Sequence, residues 1–228
     1  MSIFSDTKLN VIIGAYGSGK SEISVNLALN IKKELPEQKV LLSDMDIVNP
    51  FYRSADAKKL LEDNGVKVII PSYAGSNVDA PVLAGEMYIV FDDDSYKGIY
   101  DIGGEDMGAT VLGSLHSRLM GIDHKLYMVV NTLRPFTETP EQIAQMANEL
   151  AAAANMKING FINNTNLLEE SSLEAVYEGE KILAETSEIT GIPLVATAIM
   201  EEFLPGLDKT HINSSEIIKL QKTIFYNY

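Results

Sequence analysis

The sequence predicts an α/β protein with a three-layer, doubly wound and mostly parallel β-sheet. Short apolar runs alternate with amphipathic segments along the whole chain, which is typical of consecutive βαβ units. Most of the runs are almost entirely apolar, as expected for strands that are buried on both faces of a parallel sheet. Because neither an internal repeat nor a low-complexity linker interrupts this alternation, we expect one domain over residues 1–228.

The expected elements follow from the apolar periodicity. Seven strands are predicted at residues 9–13, 39–43, 67–70, 98–102, 125–130, 157–162 and 193–197. Helices are predicted at residues 21–35, 55–63, 108–120, 140–154 and 172–190, with a last packed helix at 214–225. Residues 71–94 contain proline, glycine and an acidic run, and we expect a loop, a lid or an inserted edge strand there.

Composition and charge exclude several classes of protein. The chain has no cysteine, so it forms no disulfide framework, thiolate zinc site or iron–sulfur cluster of its own. Eighteen basic against 32 acidic residues give a net charge of -14, which argues against nucleic-acid binding. Neither a signal peptide nor an apolar run of ~20 residues is visible. We therefore expect a cytoplasmic protein that does not bind membranes.

Residues 14–21 read GAYGSGKS and match the phosphate-loop pattern G-x-x-x-x-G-K-[ST] at every fixed position. A predicted strand precedes the motif and a predicted helix follows it, as this loop requires. Backbone N–H groups would surround the phosphates, Lys20 would reach the β- and γ-phosphates, and Ser21 would bind Mg²⁺. The residues expected to contact the nucleotide here are Gly14, Gly17, Ser18, Gly19, Lys20, Ser21 and Glu22.

Acidic residues follow two of the predicted strands. Asp44 and Asp46 end the second strand and Asp101 ends the fourth, at the sheet edge where ligands of α/β proteins bind. With Ser21, these carboxylates are the expected Mg²⁺ ligands, and one of the pair after the second strand would orient a water molecule. Asp101 begins a D-x-x-G sequence, so Gly103 and Gly104 would let a switch loop move when the γ-phosphate leaves.

The order of these motifs resembles the MinD/ParA class of P-loop ATPases, to which CobQ/CobB-type synthetases also belong. The resemblance covers residues 9–205 and implies a P-loop NTPase fold with ATP and Mg²⁺ as cofactors. It implies that Lys20 and Asp46 are catalytic, Asp46 by positioning the attacking water. It also implies that Asn164 contacts adenine. The sequence contains no N-K-x-D motif, which many GTPases use to bind guanine, and this favours ATP over GTP.

One position departs from the class pattern. The class places a second lysine after the first glycine of the loop, where it crosses a dimer interface, and this chain has Ala15 there. This departure argues against a dimer that uses that mechanism, and a homodimer of another kind stays open. Arg134, after the fifth strand, could stabilise phosphoryl charge or could contact a partner or a surface carboxylate.

Three functions remain open at this point. The first is an ATP-hydrolysing switch, slow without its partner, that binds ATP and ADP and regulates or assembles an unidentified protein partner. Maturation of a metallocentre and positioning of a partner are roles that the resemblance implies for such a switch. The second is an ATP-dependent ligase or kinase of the CobQ, CobB or dethiobiotin-synthetase kind. The third is a sensor that binds ATP without hydrolysing it.

Overall fold

The computed structural model describes residues 1–45, 54–70, 85–103, 106–167 and 171–223. Its strands are β1 (Leu9–Gly14), β2 (Lys39–Met45), β3 (Val66–Ile69), β4 (Tyr96–Ile102), β5 (His124–Val130), β6 (Gly160–Asn163), β7 (Leu194–Met200) and β8 (Glu216–Leu220). Within the described residues they form one eight-stranded sheet in the order β3-β2-β4-β1-β5-β6-β7-β8. Every neighbouring pair of strands is parallel.

The helices cover both faces of this sheet. They are α1 (Ile3–Asp6), α2 (Lys20–Glu34), α3 (Ser54–Asp63), α4 (Ile89–Asp92), α5 (Asp106–Leu119), α6 (Pro140–Ala154) and α7 (Leu173–Thr190). Short 3₁₀ turns lie at Gly85–Tyr88, Glu201–Gly206 and Lys209–His211. No described helix has the length and apolar character that would let it span a bilayer.

Two hydrophobic cores lie on opposite faces of the sheet, because successive residues of a strand point to opposite sides. In β1, Ile12 packs into the core that contains α1, α2 and α3. Its neighbours Val11 and Ile13 pack into the other core, with residues of α4, α5, α6 and α7. The predicted three-layer, doubly wound α/β fold is therefore confirmed.

The helix predicted at residues 214–225 is wrong where the structure describes that segment. Residues 216–220 form β8, which pairs with β7 in parallel. Ile218 and Leu220 are buried in the α2 core while Lys219 between them is exposed, so the segment has the two-residue period of a strand. Asn26 of α2 accepts a hydrogen bond from the N–H of Gln221 and donates one to its carbonyl oxygen.

The irregular region expected at residues 71–94 is described from residue 85 onward, and residues 71–84 lie outside the described part. Residues 85–92 form the first 3₁₀ turn and α4. The hydroxyl of Tyr100 on β4 donates to the carbonyl oxygen of Met87 in this turn. Burial raises the pKa of the Tyr100 phenol, so the hydroxyl stays protonated and can act as a donor. This contact fixes the turn against the core.

Candidate nucleotide-binding site

The phosphate-loop motif forms the connection from β1 to α2. Gly19 is the residue before α2 and has a left-handed backbone with φ of 87°. The side chain of Lys20 is buried, and its Nζ lies 3.1 Å from the carbonyl oxygen of Ala15. The loop also closes on itself through the N–H of Ser18, which donates to the same carbonyl oxygen at 3.2 Å. The result is a short curled loop that leads directly into a helix N-terminus, which is the arrangement that binds phosphate.

Asn164, at the end of β6, contacts this loop from the side. Its Nδ2 donates to the carbonyl oxygen of Ser18 at 2.8 Å, and its Oδ1 accepts from Nδ2 of Asn166 at 2.9 Å. A Cβ atom at Gly19 would collide with the same Nδ2. Both polar ends of the Asn164 side chain therefore bind other parts of the chain, and contact with an adenine ring stays a prediction.

Asp44 and Asp101 lie side by side at the sheet edge next to the loop. They are Cα partners in the parallel pair of β2 and β4, and Asp101 is also paired with Ile12 of β1. Both side chains are buried, with 5% of Asp44 and 2% of Asp101 exposed. The expected third carboxylate, Asp46, lies outside the described residues.

This donor set fits Mg²⁺. The two carboxylates and the Ser21 hydroxyl are all oxygen ligands, and Mg²⁺ usually takes one or two carboxylates together with substrate phosphates. Within the described residues there is no group of three or more histidine, cysteine, aspartate or glutamate side chains that could enclose a metal ion by themselves.

The residues expected to form the switch are described only in part. Gly103 follows β4 and is buried. A Cβ atom at Gly108 would collide with the Gly103 carbonyl oxygen, so the first turn of α5 packs directly on Gly103. Gly104 lies outside the described residues.

Glu22, in the first turn of α2, contacts the C-terminal segment. Its Oε1 accepts from the N–H of Thr223 at 2.7 Å and from the Thr223 hydroxyl at 2.9 Å. Nucleotide contact by Glu22 stays a prediction.

Arg134 extends from the loop between β5 and α6 to the phosphate loop. Its Nε lies 3.6 Å from the position that a Cβ atom of Gly17 would take. Sequence position left this residue's role open, because a loop after a strand can turn in several directions. Asn131 and Thr137 hold the backbone of this turn by hydrogen bonds. An asparagine and a threonine on either side of a proline do not predict such contacts from the sequence.

The fold is shared with known P-loop proteins. FtsY from Thermotoga maritima superposes with a TM-score of 0.54 at 18% identity, over 85% of this chain and 62% of that one. FtsY from Mycoplasma mycoides gives a TM-score of 0.51 at 20% identity, over 83% of this chain and 59% of that one. An FlhF structure with GTP and Mg²⁺ gives 0.49 at 15% identity, over 75% and 59% of the two chains. No family model and no curated protein matches the sequence.

The assignment to the MinD/ParA class, including its CobQ/CobB relatives, is wrong. The solved structures named above with TM-scores over 0.5 are FtsY proteins, which belong to another P-loop family. The motifs that carried the resemblance are a phosphate loop and acidic strand ends, which are common to many P-loop families and do not discriminate among them. This chain spans about three fifths of the length of the FtsY structures. Its described residues have the α/β fold of P-loop NTPases.

Proposed function

We propose that the protein binds a purine nucleoside triphosphate with Mg²⁺ and hydrolyses it. The observation that carries the proposal is the phosphate-loop sequence in its required context, with Gly19 in a left-handed conformation and the buried Lys20 folded over the loop. In this proposal Lys20 and the loop N–H groups of residues 14–21 bind the phosphates, and Asp46 positions the attacking water.

Asp44, Asp101 and Ser21 would hold the Mg²⁺, with Asp46 as a further ligand or water-positioning group. The ion would neutralise charge on the β- and γ-phosphates as the bond breaks. The carboxylates lie at the ends of neighbouring strands, so the sheet itself sets their separation.

Both ATP and GTP are candidate nucleotides. The sequence favoured ATP because of Asn164 and the absence of N-K-x-D, but Asn164 is bound to the phosphate loop and to Asn166. Direct competition between ATP and GTP for the site would therefore determine which base the protein prefers.

We also propose that the nucleotide state acts as a switch for a protein partner. Gly103 lies between Asp101 and the first turn of α5, against which it packs. Loss of the terminal phosphate would release the segment after β4 and would alter the surface beside it. A second copy of the chain is one partner that can be tested directly.

The test is equilibrium binding and steady-state hydrolysis of ATP and GTP, with and without Mg²⁺. We expect one nucleotide to bind and its hydrolysis to require Mg²⁺, and we expect Lys20→Ala to abolish both binding and hydrolysis. Lys33→Ala is the matched control, because Lys33 is exposed on the same helix. Lys20→Ala behaving like the wild type would refute the phosphate site.

Further outcomes separate the parts of the proposal. Binding without turnover under any addition would remove hydrolysis and leave a nucleotide sensor. Turnover that requires a small metabolite would replace the switch with a ligase or kinase. Size-exclusion chromatography of the nucleotide-free, diphosphate and triphosphate states tests whether the partner is a second copy.

A further inference from the structure

The guanidinium group of Arg134 lies against the phosphate loop at Gly17. Nε, Cδ and Cζ of the Arg134 side chain are 3.6, 3.8 and 3.9 Å from the position that a Cβ atom of Gly17 would take. The absence of a side chain at Gly17 therefore leaves room for the arginine to pack close to the loop backbone. Lys20 reaches the same loop from the helix side, through Ala15.

The backbone around Arg134 is held by hydrogen bonds from the end of β5. The Arg134 N–H donates to the carbonyl oxygen of Asn131 at 3.1 Å, and the Thr137 hydroxyl donates to the carbonyl oxygens of Asn131 and Arg134 at 2.7 and 3.0 Å. Asn131 is in turn linked to the segment after β6, because its Nδ2 donates to the carbonyl oxygen of Asn166 at 2.9 Å. The backbone at Arg134 is thus held by two neighbouring strand ends.

The charge of Arg134 is not used within the described part of the protein. Nε is buried and has no hydrogen-bond partner there, and no salt bridge of the described residues includes Arg134. The hydroxyl of Ser18, next to Gly17 in the loop, is also buried without a hydrogen-bond partner. A buried N–H or O–H that lacks an acceptor is costly, and an anion in the loop would supply acceptors to both.

We propose that Arg134 is a phosphate-binding residue that supplies a second positive charge to the triphosphate from within the same chain. The inference rests on the proposed function and adds to it a residue outside the phosphate-loop motif. Arginine suits this position because its planar fork matches the geometry of phosphate oxygens and can donate two parallel hydrogen bonds to them. In a protein with a net charge of -14, such a group also offsets the general repulsion of a polyanion.

Inorganic tripolyphosphate is the probe that isolates this contact, because it has the phosphates and no base. Binding of tripolyphosphate, ATP and GTP is measured by calorimetry for the wild type and for Arg134→Ala, Arg134→Gln and Arg134→Lys. We expect the affinity of the alanine and glutamine variants to fall about 10- to 100-fold. The factor should be the same for tripolyphosphate and for the preferred nucleotide. Arg134→Lys should lose less, because it keeps the charge.

Arg118→Ala is the control for removing one arginine, since Arg118 lies on α5 and stacks on the ring of Tyr88 at 4.6 Å. It should bind tripolyphosphate as the wild type does. Thermal unfolding without ligand identifies any variant that does not fold. If Arg134→Ala does not fold, Arg134→Gln takes its place in the test.

The outcomes separate the inference from the proposed function. If wild type and Lys20→Ala behave as proposed but the Arg134 variants bind tripolyphosphate as tightly as wild type, Arg134 is not a phosphate ligand. A loss for ATP or GTP alone, with tripolyphosphate affinity unchanged, would assign Arg134 to the nucleoside part of the ligand and would also overturn the inference. If the wild type binds none of the three probes, the proposed function fails together with the inference.

Discussion

The side-chain amide of Asn164 donates a 2.8 Å hydrogen bond to the carbonyl oxygen of Ser18, although 146 residues separate them. The contact joins the end of β6 to the phosphate loop. Asn164 is almost fully buried, with 2% of the residue exposed, so water does not replace the bond when it is lost. The shape of the loop therefore depends on a residue outside its own motif.

Asn164→Ala should weaken the binding of ATP, GTP and tripolyphosphate by one common factor. The expected loss of affinity is about 5- to 10-fold, because a buried hydrogen bond contributes roughly 1 kcal/mol. We expect only part of the loop to change its shape when this bond is removed. Competition binding with the three ligands measures it. A changed ratio of ATP to GTP affinity, with tripolyphosphate binding unchanged, would contradict this and support the base contact predicted from the sequence.

Gly19→Ala should destabilise the protein and abolish phosphate binding. Alanine at a left-handed position costs about 1–2 kcal/mol, and here its methyl group would also collide with Asn164. Gly191→Ala is the matched control, because Gly191 has a φ of 71° with no atom within 4 Å of the added Cβ.

Thermal unfolding compares the two glycine variants. Gly191→Ala should lower the Tm by about 2–8 °C, from strain alone. Gly19→Ala should lower it further. Equal Tm values for the two variants, with nucleotide binding intact, would show that the close approach of Asn164 to Gly19 affects neither stability nor nucleotide binding.

Asp44→Asn and Asp101→Asn should each raise the Mg²⁺ concentration needed for hydrolysis by about tenfold or more, because each removes a charged ligand. Chelation of Mg²⁺ with EDTA should stop hydrolysis in the wild type. Nucleotide binding without Mg²⁺ should change little. Asp123→Asn is the control, since Asp123 is exposed at the opposite edge of the sheet. An unchanged Mg²⁺ requirement in both variants would remove this pair from the metal site.

Glu180→Ala should destabilise the protein by about 3 kcal/mol, because the buried Thr197 hydroxyl and two partly buried donors would lose their acceptor. The fully buried Glu180 carboxylate on α7 accepts from the Thr197 hydroxyl, from the N–H of Asn213 at 2.7 Å and from the Ser214 hydroxyl at 2.8 Å. Glu178→Ala, an exposed change on the same helix, should have little effect. Denaturant unfolding measures both, and similar midpoints would mean that Glu180 does not anchor the segment before β8.

The sequence was sufficient for the fold class and the phosphate loop, for two physical reasons. Strands buried on both faces are almost entirely apolar, so runs such as Leu9–Gly14, in which Asn10 is the one polar side chain, are recognisable. A phosphate loop needs glycine at fixed positions, so its spacing is conspicuous.

The sequence was insufficient where several distant segments decide the outcome together. Residues 216–220 were predicted as part of a helix, and it is their pairing with β7 that makes them a strand, with Asn26 bound to Gln221 just after it. The reach of Arg134 depends on the turn made by residues 131–137, and the use of Asn164 depends on where the Ser18 carbonyl oxygen lies. Such relationships appear only when the strand ends are assembled.

The hydrogen bonds between Glu22 and Thr223 make the C-terminal segment a place from which the phosphate loop can be observed. The chain has no cysteine, so one cysteine introduced at Lys222 would carry a fluorophore at a unique site, next to a residue bound to the first turn of α2. A fluorophore at Lys33 would report on the other end of the same helix, about 17 Å away at 1.5 Å per residue. Comparing the two signals during turnover would distinguish a local rearrangement of the loop from a displacement of the whole helix.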